Sequence, residues 1–412
     1  MRTCRLSLYL YLYLIGAALT LPCLVRAAPA TPTPVGPSLK QAVESAWQRA
    51  PAARTIEARQ DEVSAARANA RSWFAASPAL GLSRRADRGA SERDQRESEI
   101  SVSSSIWLPG QKSAREALAA RSSDEVTAHL GATRLAVAGM VRNSMWEAAA
   151  AQVRLEEKQD HLHHLEGLSD EVQRRVKAGD LARSDGLLAQ QEVLAARIEV
   201  TNARTAAAEA LARYRVATGL PTLPALEPEP LHDTAAPIDP RLAAAQASEE
   251  RARAALRLAA ANRSAPPTIA VSVRREDERL LREPVNSIGV ALQIPIGTAA
   301  RNRTVEAQAR TVIATAAAEA AEVQANAGAD IDTAQQRLAN ARAALDTALE
   351  RAAALHEHTA LFEKAFRAGE RGLAELLRSR ALTHEADVAV AQQKVALGHA
   401  HALLNQALGI LP

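Results

Sequence analysis

The segment LHHLEGLSDEVQRRVKAGD, residues 162–180, decides the fold of this chain. It ends a stretch from Gln111 to Val176 that holds no proline and is dense in strong helix formers. Apolar residues recur there at spacings of three and four, so they share one helix face. A helix of this length would be a rod of roughly 100 Å. Gly179 then supplies a left-handed helix stop, after which a second helix begins.

The same turn occurs twice. Val176-Lys177-Ala178-Gly179-Asp180 matches Phe366-Arg367-Ala368-Gly369-Glu370, and Gly219-Leu220-Pro221 matches Gly409-Ile410 near the end of the chain. The offsets all lie near 190 residues, by direct reading of the sequence. A fixed offset between several motifs indicates a tandem duplication, with repeats at 38–221 and 240–412.

The composition favours long, thin helical packing over a compact domain. Hydrophobic residues make up 47 % of the chain but aromatic residues only 3 %, and alanine supplies much of the difference. The net charge of +3 falls to zero when residues 1–27, with three arginines and no acid, are set aside. A neutral, mixed-charge surface argues against a nucleic-acid partner.

Residues 1–27 have the pattern of a secretory signal peptide: basic residues, an apolar run and small residues at 27–28. The alternative is an uncleaved anchor, which Pro22 disfavours. Cys4 and Cys23, the two cysteines, both fall in this segment, so the mature chain is expected to lack disulfides and thiolate ligands. Residues 28–37 are predicted to be a flexible Pro/Thr spacer.

Each repeat also carries two segments in which apolar residues alternate with small or polar ones, a pattern typical of strands. The predicted strands are 79–84 and 99–108 in the first repeat, and 268–274 and 286–296 in the second. Charged loops join them at 84–99 and 275–284, and a proline-rich linker at 222–239 separates the repeats. Four amphipathic strands cannot close a barrel in lipid, whereas three chains would supply twelve.

These features together resemble the outer-membrane efflux protein (TolC) family. The stretch Gly289-Val-Ala-Leu-Gln-Ile-Pro-Ile, followed by Arg301-Asn302-Arg303, resembles the heavy-metal efflux (CzcC-like) branch. The resemblance implies a mainly α fold with a small β part: duplicated coiled-coil hairpins form a periplasmic α-barrel, and four strands per chain enter a trimeric 12-stranded outer-membrane β-barrel. The aromatic residues expected at the barrel rims are reduced to Trp107, Trp73 and Phe74.

The resemblance also implies function and partners. The chain would be a passive channel in the outer membrane, extending into the periplasm, and not an enzyme. It would form a homotrimer in outer-membrane lipid and dock to a periplasmic adaptor (membrane fusion) protein and an inner-membrane pump of the RND type. Heavy-metal cations are the favoured cargo, with organic drugs or solvents as the alternative. The competing class is a periplasmic coiled-coil adaptor or scaffold.

Two groups of charged residues are candidate sites. Asp185 and Glu375 each lie six residues after a turn glycine, where the family's periplasmic mouth carries acids, and Arg378 replaces a second acid. They are predicted to form a mouth gate, with ordinary helix-start carboxylates as the alternative. The predicted adaptor-docking tip comprises Lys177, Gly179, Asp180, Arg183, Arg367, Gly369, Glu370 and Arg371.

No catalytic set, cofactor motif or metal site is predicted. Histidines cluster at 161–164, 356–358 and 399–401, but without cysteine or a ligand spacing they do not indicate a structural metal site. They are interpreted as solvated or lumen-facing side chains, with transient contact to a metal cargo as the alternative.

Overall fold

A computed structural model describes residues 36–87, 95–231, 238–277 and 283–412. The predicted signal peptide and the spacer up to residue 35 lie outside the described residues. So do the centres of the two charged loops and part of the proline-rich linker. Across the described ranges, no helix is both long enough and apolar enough to span a membrane.

The prediction of a mainly helical fold with a small four-stranded part is confirmed. The elements run in chain order as α1 (Leu39–Arg49), α2 (Pro51–Ala70), β1 (Ala79–Ala86), β2 (Arg96–Ser105), α3 (Gln111–Ala178), α4 (Arg183–Thr218), α5 (Pro240–Ala261), β3 (Thr268–Asp277), β4 (Val285–Gln293), α6 (Ala299–Arg367) and α7 (Leu373–Ala407). The long helices α3 and α6 have 68 and 69 residues, and their partners α4 and α7 have 36 and 35.

Some boundaries differ from the predicted ones for local reasons. β2 ends at Ser105 instead of residue 108, because its neighbour begins after Pro267, which has no N–H to donate. The indole N–H of Trp107 instead donates to the carbonyl of Ser72, 3.1 Å away. β4 ends at Gln293, two residues before Pro295. Pro51 separates α1 from α2 and occupies the first turn of α2, where its missing N–H costs nothing.

The helices pack along narrow seams. In α4 the buried residues alternate at spacings of four and three, which is the heptad pattern of a coiled coil. Most of these side chains are small, so the backbones approach closely without a thick core. The seam comprises Ala189, Val193, Ala196, Val200, Ala203, Ala207, Ala210 and Tyr214. α3 packs with α4 as one helical hairpin, and α6 packs with α7 as the other.

A buried ion pair joins the linker and the C-terminus to the middle of α3. The Arg142 side chain is 1 % exposed, and its Nε and Nη2 donate to both carboxylate oxygens of Glu229 at 2.9 and 2.7 Å. Its Nη1 donates to Gln406 Oε1 and to the Ile410 carbonyl. The Asn405 amide also donates to Glu229, at 3.2 Å. One arginine therefore holds three segments that are far apart in sequence.

Candidate functional site

The four strands form one antiparallel sheet in the order β1-β2-β3-β4. The central β2–β3 pair joins the two repeats, so both contribute to a single surface. One face carries only apolar side chains in its two central cross-strand rows. These rows are Leu80, Val102, Val271 and Val290, then Leu82, Ile100, Val273 and Ile288. All eight side chains are exposed in the chain by itself.

The opposite face of the sheet is small and polar. Its central row is Gly81, Ser101, Ser272 and Gly289, and the next row is Ser83, Glu99, Arg274 and Ser287. Arg274 pairs with Glu99 at 3.1 Å across the two strands. A sheet with an apolar band across the centre of one face and small or polar residues across the other has the pattern of strands that separate lipid from a water-filled lumen.

The outer strands of the sheet have unpaired edges within the described residues, and aromatic residues lie at the end of the sheet next to the helices. Within the described residues, the outer edges of β1 and β4 pair with no other strand. Trp73, just before β1, is 89 % exposed, and its neighbour Phe74 is also exposed. Trp107 is held instead by its bond to Ser72 and by Arg115, whose guanidinium lies over the indole ring. The aromatic side chains therefore lie where the strands meet the helices.

At the other end of the helices, the two glycine turns have the same geometry. Gly179 and Gly369 have φ of 85° and 79°, in the left-handed region. Each glycine N–H bonds back three residues, and the next residue bonds back five: Asp180 to Arg175 and Glu370 to Ala365, both at 2.9 Å. This paired pattern is the Schellman motif, which satisfies the last carbonyls of a long helix.

The predicted tip residues stay at the surface around these turns. Lys177, Asp180, Arg183, Arg367, Glu370 and Arg371 are all exposed. Beneath them, buried apolar side chains of both hairpins pack together in one group, the tip cluster, which comprises Leu168, Val172, Ala189, Phe366, Leu373 and Leu376. The Arg175 guanidinium of one hairpin lies 5.0 Å from the ring of Phe366 in the other. The tip thus has exposed charged residues above the buried apolar side chains of the tip cluster.

The predicted gate residues lie just beyond the tip. Asp185 is in the first turn of α4, and Glu375 is in the first turn of α7. The structure brings Glu375 together with Arg371, a predicted docking residue, at 3.2 Å. Arg378 is exposed one turn further along α7. The carboxylates also meet the alternative description of acids at helix starts, so their gating role stays a prediction.

The first histidine cluster contacts the second hairpin. His161 on α3 stacks on His384 of α7, with ring centroids 3.9 Å apart and planes 10° apart. The pair lines a cavity of about 480 Å³ between the hairpins, together with His164, His356 and four acidic residues. Burial lowers the pKa of both rings, that of His161 to about 4. The described ranges contain no group of three or more His, Cys, Asp or Glu arranged to hold a metal ion.

The sequence reasoning missed His384 and Arg142. His161 lies 18 residues before Gly179, and His384 lies 15 residues after Gly369. Both separations correspond to roughly 25 Å of helix, so the two histidines lie at similar distances from the two turns. This similarity is the sequence signal that could have paired them. Arg142 and Glu229 are 87 residues apart and belong to no repeated motif, so nothing in the pattern joined them.

Comparison with known proteins gives structural matches alone. No family model matches the sequence, and no curated protein matches it. A membrane protein from Pseudomonas aeruginosa is 20% identical with a TM-score of 0.73, and 90% of each chain is covered. The outer membrane protein VceC from Vibrio cholerae is 16% identical with a TM-score of 0.70, covering 90% of this chain and 96% of that one.

The open state of the Neisseria gonorrhoeae MtrE outer membrane channel is also similar, at 18% identity and a TM-score of 0.71. The match covers 91% of this chain and 89% of MtrE. These alignments include both helical hairpins and the sheet, since they span nearly the whole described chain. The chain therefore has the fold of solved outer-membrane channel proteins.

Proposed function

We propose that this protein is the outer-membrane channel of a tripartite efflux system. Three copies would join their sheets edge to edge into a 12-stranded barrel, and their hairpins would continue it as a tube through the periplasm. The channel would be a passive conduit without catalysis, and pumping would belong to an RND-type inner-membrane partner reached through a periplasmic adaptor.

One observation carries the proposal: among the described residues, one face of the sheet has two adjacent, exposed and wholly apolar rows, and the two outer strand edges are unpaired. Exposed apolar rows of this extent require a cover, and a free strand edge is not tolerated in lipid. Neighbouring copies would cover the edges, and lipid would cover the apolar face. The serines, glycines and ion pairs of the other face would line the lumen.

The competing function, a periplasmic adaptor or scaffold, accounts for the long hairpins but not for the sheet. A water-soluble scaffold would leave Leu80, Val102, Val271 and Val290 exposed to solvent along one row. The fold shared with outer-membrane channels also favours the channel.

We expect the purified protein to be a trimer that inserts into planar lipid bilayers and conducts ions. The four strands of one chain are too few to close a membrane barrel, so a monomer should not conduct. The measurement combines mass determination in detergent with single-channel recording. A variant with Val102 and Val271 both replaced by Asp should fail to insert, because charge on the lipid face is destabilising. A water-soluble monomer without conductance would favour the scaffold.

For the cargo we favour heavy-metal cations over organic drugs or solvents. The support is the resemblance of residues 289–303 to the heavy-metal branch. Six acidic side chains from three copies of Asp185 and Glu375 would also favour cations at the mouth. Deleting the gene and measuring resistance to divalent transition metals and to organic drugs in parallel would separate the two cargo classes.

Replacing both Asp185 and Glu375 by Ala is expected to lower cation selectivity and to raise single-channel conductance, roughly twofold, if the acids constrict the mouth. The measurement is the reversal potential in a salt gradient, with conductance recorded on the same channels. Asp180→Ala with Glu370→Ala is the matched control, since it removes two tip acids outside the proposed ring. Unchanged selectivity in the first variant would reduce Asp185 and Glu375 to helix-start residues.

A further inference from the structure

We infer that the stacked rings of His161 and His384 form a pH-sensitive latch between the two helical hairpins, which loosens when the rings are protonated. The inference rests on the proposed channel function for its consequence, an easier opening of the periplasmic mouth. Its physical basis is the stack itself. His161 belongs to the first hairpin and His384 to the second, so their contact exists only while the hairpins are packed together.

The contact suits two neutral rings. At a centroid distance of 3.9 Å, two imidazolium ions would repel each other across a half-buried seam where water screens little. His384 Nε2 is buried, and among the described residues it has no hydrogen-bond partner that would accept from a charged ring. The nearly parallel planes also cannot both contain one shared metal ion, so the pair is not arranged as a chelate.

The surrounding charges do not compensate for protonation. Lys158, on α3, lowers the pKa of both rings, while Glu199 on α4 raises it but is paired with Lys158. Asp387 on α7 raises the pKa of His384, yet its carboxylate is bonded to His356 of α6 at 2.8 Å. The other titratable or charged groups around the cavity are Glu157, Asp160, His164, Glu363 and Arg380.

Linkage gives the direction of the effect. Above about pH 6.5 the rings are neutral in both states, so the latch is at full strength. Between pH 6.5 and about 4, a separated His161 ring binds a proton, whereas the stacked ring, with a pKa of about 4, stays neutral. Proton binding therefore favours the separated state. From pH 7.5 to 5.5, His161 alone shifts the balance about tenfold. Glu157 acts in the opposite sense, because burial raises its pKa and acid then favours the packed state.

The test measures separation of the hairpins directly. Val172 is fully buried in the tip cluster, which contains residues of both hairpins. A cysteine at this position should therefore react with maleimide only when the two hairpins separate. Cys4 and Cys23, the sequence's own cysteines, are replaced by Ser. The reaction rate of Val172→Cys is divided by that of the exposed Lys177→Cys, which corrects for thiol ionisation. All buffers contain a chelator, so bound metal cannot contribute.

We expect the rate ratio to rise about tenfold between pH 7.5 and 5.5. In a background with His161→Phe and His384→Phe, which keeps a ring stack without titration, the ratio should stay within about twofold. If the double Phe variant fails to fold, the double variant His161→Gln with His384→Gln replaces it as the non-titrating background. His163→Phe, on the exposed face of the same helix, should retain the full pH response, and Glu157→Gln should steepen it.

A flat ratio in the unmodified histidine background, or an unchanged rise in both histidine-free variants, would overturn the latch. Neither result bears on conductance. A protein that conducts in bilayers but shows a flat ratio loses the latch and keeps the channel. A pH-dependent ratio in a chain that never conducts would keep the latch and remove the channel.

Discussion

Replacing Arg142 by Ala is expected to cost about 3–5 kcal/mol of folding free energy, because it leaves the Glu229 carboxylate buried without its partner. The Glu229 side chain is 11 % exposed, and Arg142 supplies both of its shortest bonds. The variant should also release the C-terminal segment, since the same guanidinium holds the Ile410 carbonyl. The measurement is the midpoint of thermal loss of the helical circular dichroism signal, at one fixed scan rate.

Two comparisons make this test specific to the ion pair. Arg142→Met with Glu229→Met should be more stable than Arg142→Ala, because neither charge is then left alone in the interior. Arg154→Ala changes an exposed arginine of the same helix and should leave the midpoint near that of the unmodified protein. If Arg142→Ala and Arg154→Ala melt together, the ion pair contributes nothing to stability.

Replacing Gly179 and Gly369 by Val is expected to abolish efflux while leaving insertion into the outer membrane intact. Both glycines have positive φ, which a β-branched residue adopts only at a cost of roughly 1–3 kcal/mol each. Apart from the glycine's immediate chain neighbours, no heavy atom of the described residues lies within 4 Å of the position a Cβ would take at Gly179 or Gly369, so the effect is one of backbone conformation and not of crowding. The strands lie some 100 Å away along the helix and should not be disturbed. Loss of efflux is measured as cargo retained in cells. Intact insertion is measured as the amount of trimer in isolated outer membranes.

The chain provides matched controls for the turn glycines. Gly372 has equally open surroundings but a φ of −80°, so Gly372→Val should preserve efflux. Gly179→Asn with Gly369→Asn should retain part of the activity, because asparagine tolerates the left-handed region better than valine does. Full efflux in the double Val variant would show that the turn geometry is not needed at the proposed adaptor-docking tip.

The features that sequence reasoning predicted are those with a local signal. Alternating apolar residues indicate a strand within about six positions, and a glycine after a long apolar stripe indicates a helix end. The predicted long helix at 111–176 and the four predicted strands therefore lie within a few residues of those in the structure. The latch pair and the Arg142–Glu229 bond have no local signal, because each joins segments that meet only after the hairpins pack. The identities of 16 to 20% with the three solved structures described above agree with a fold that fixes few residue types. A seam of alternating small residues and two turns constrains few positions.

The pairing of β2 with β3 has a consequence for how the protein is made. Ser105 lies opposite Thr268, 163 residues further along the chain, with α3, α4 and α5 between them. Contacts of such sequence separation form late, after the local helical hairpins are in place. If the protein is the proposed outer-membrane channel, the apolar rows of the sheet would cross the periplasm before neighbouring copies could cover them. This interval is when the chain is most exposed to aggregation, and when a holding chaperone would matter most.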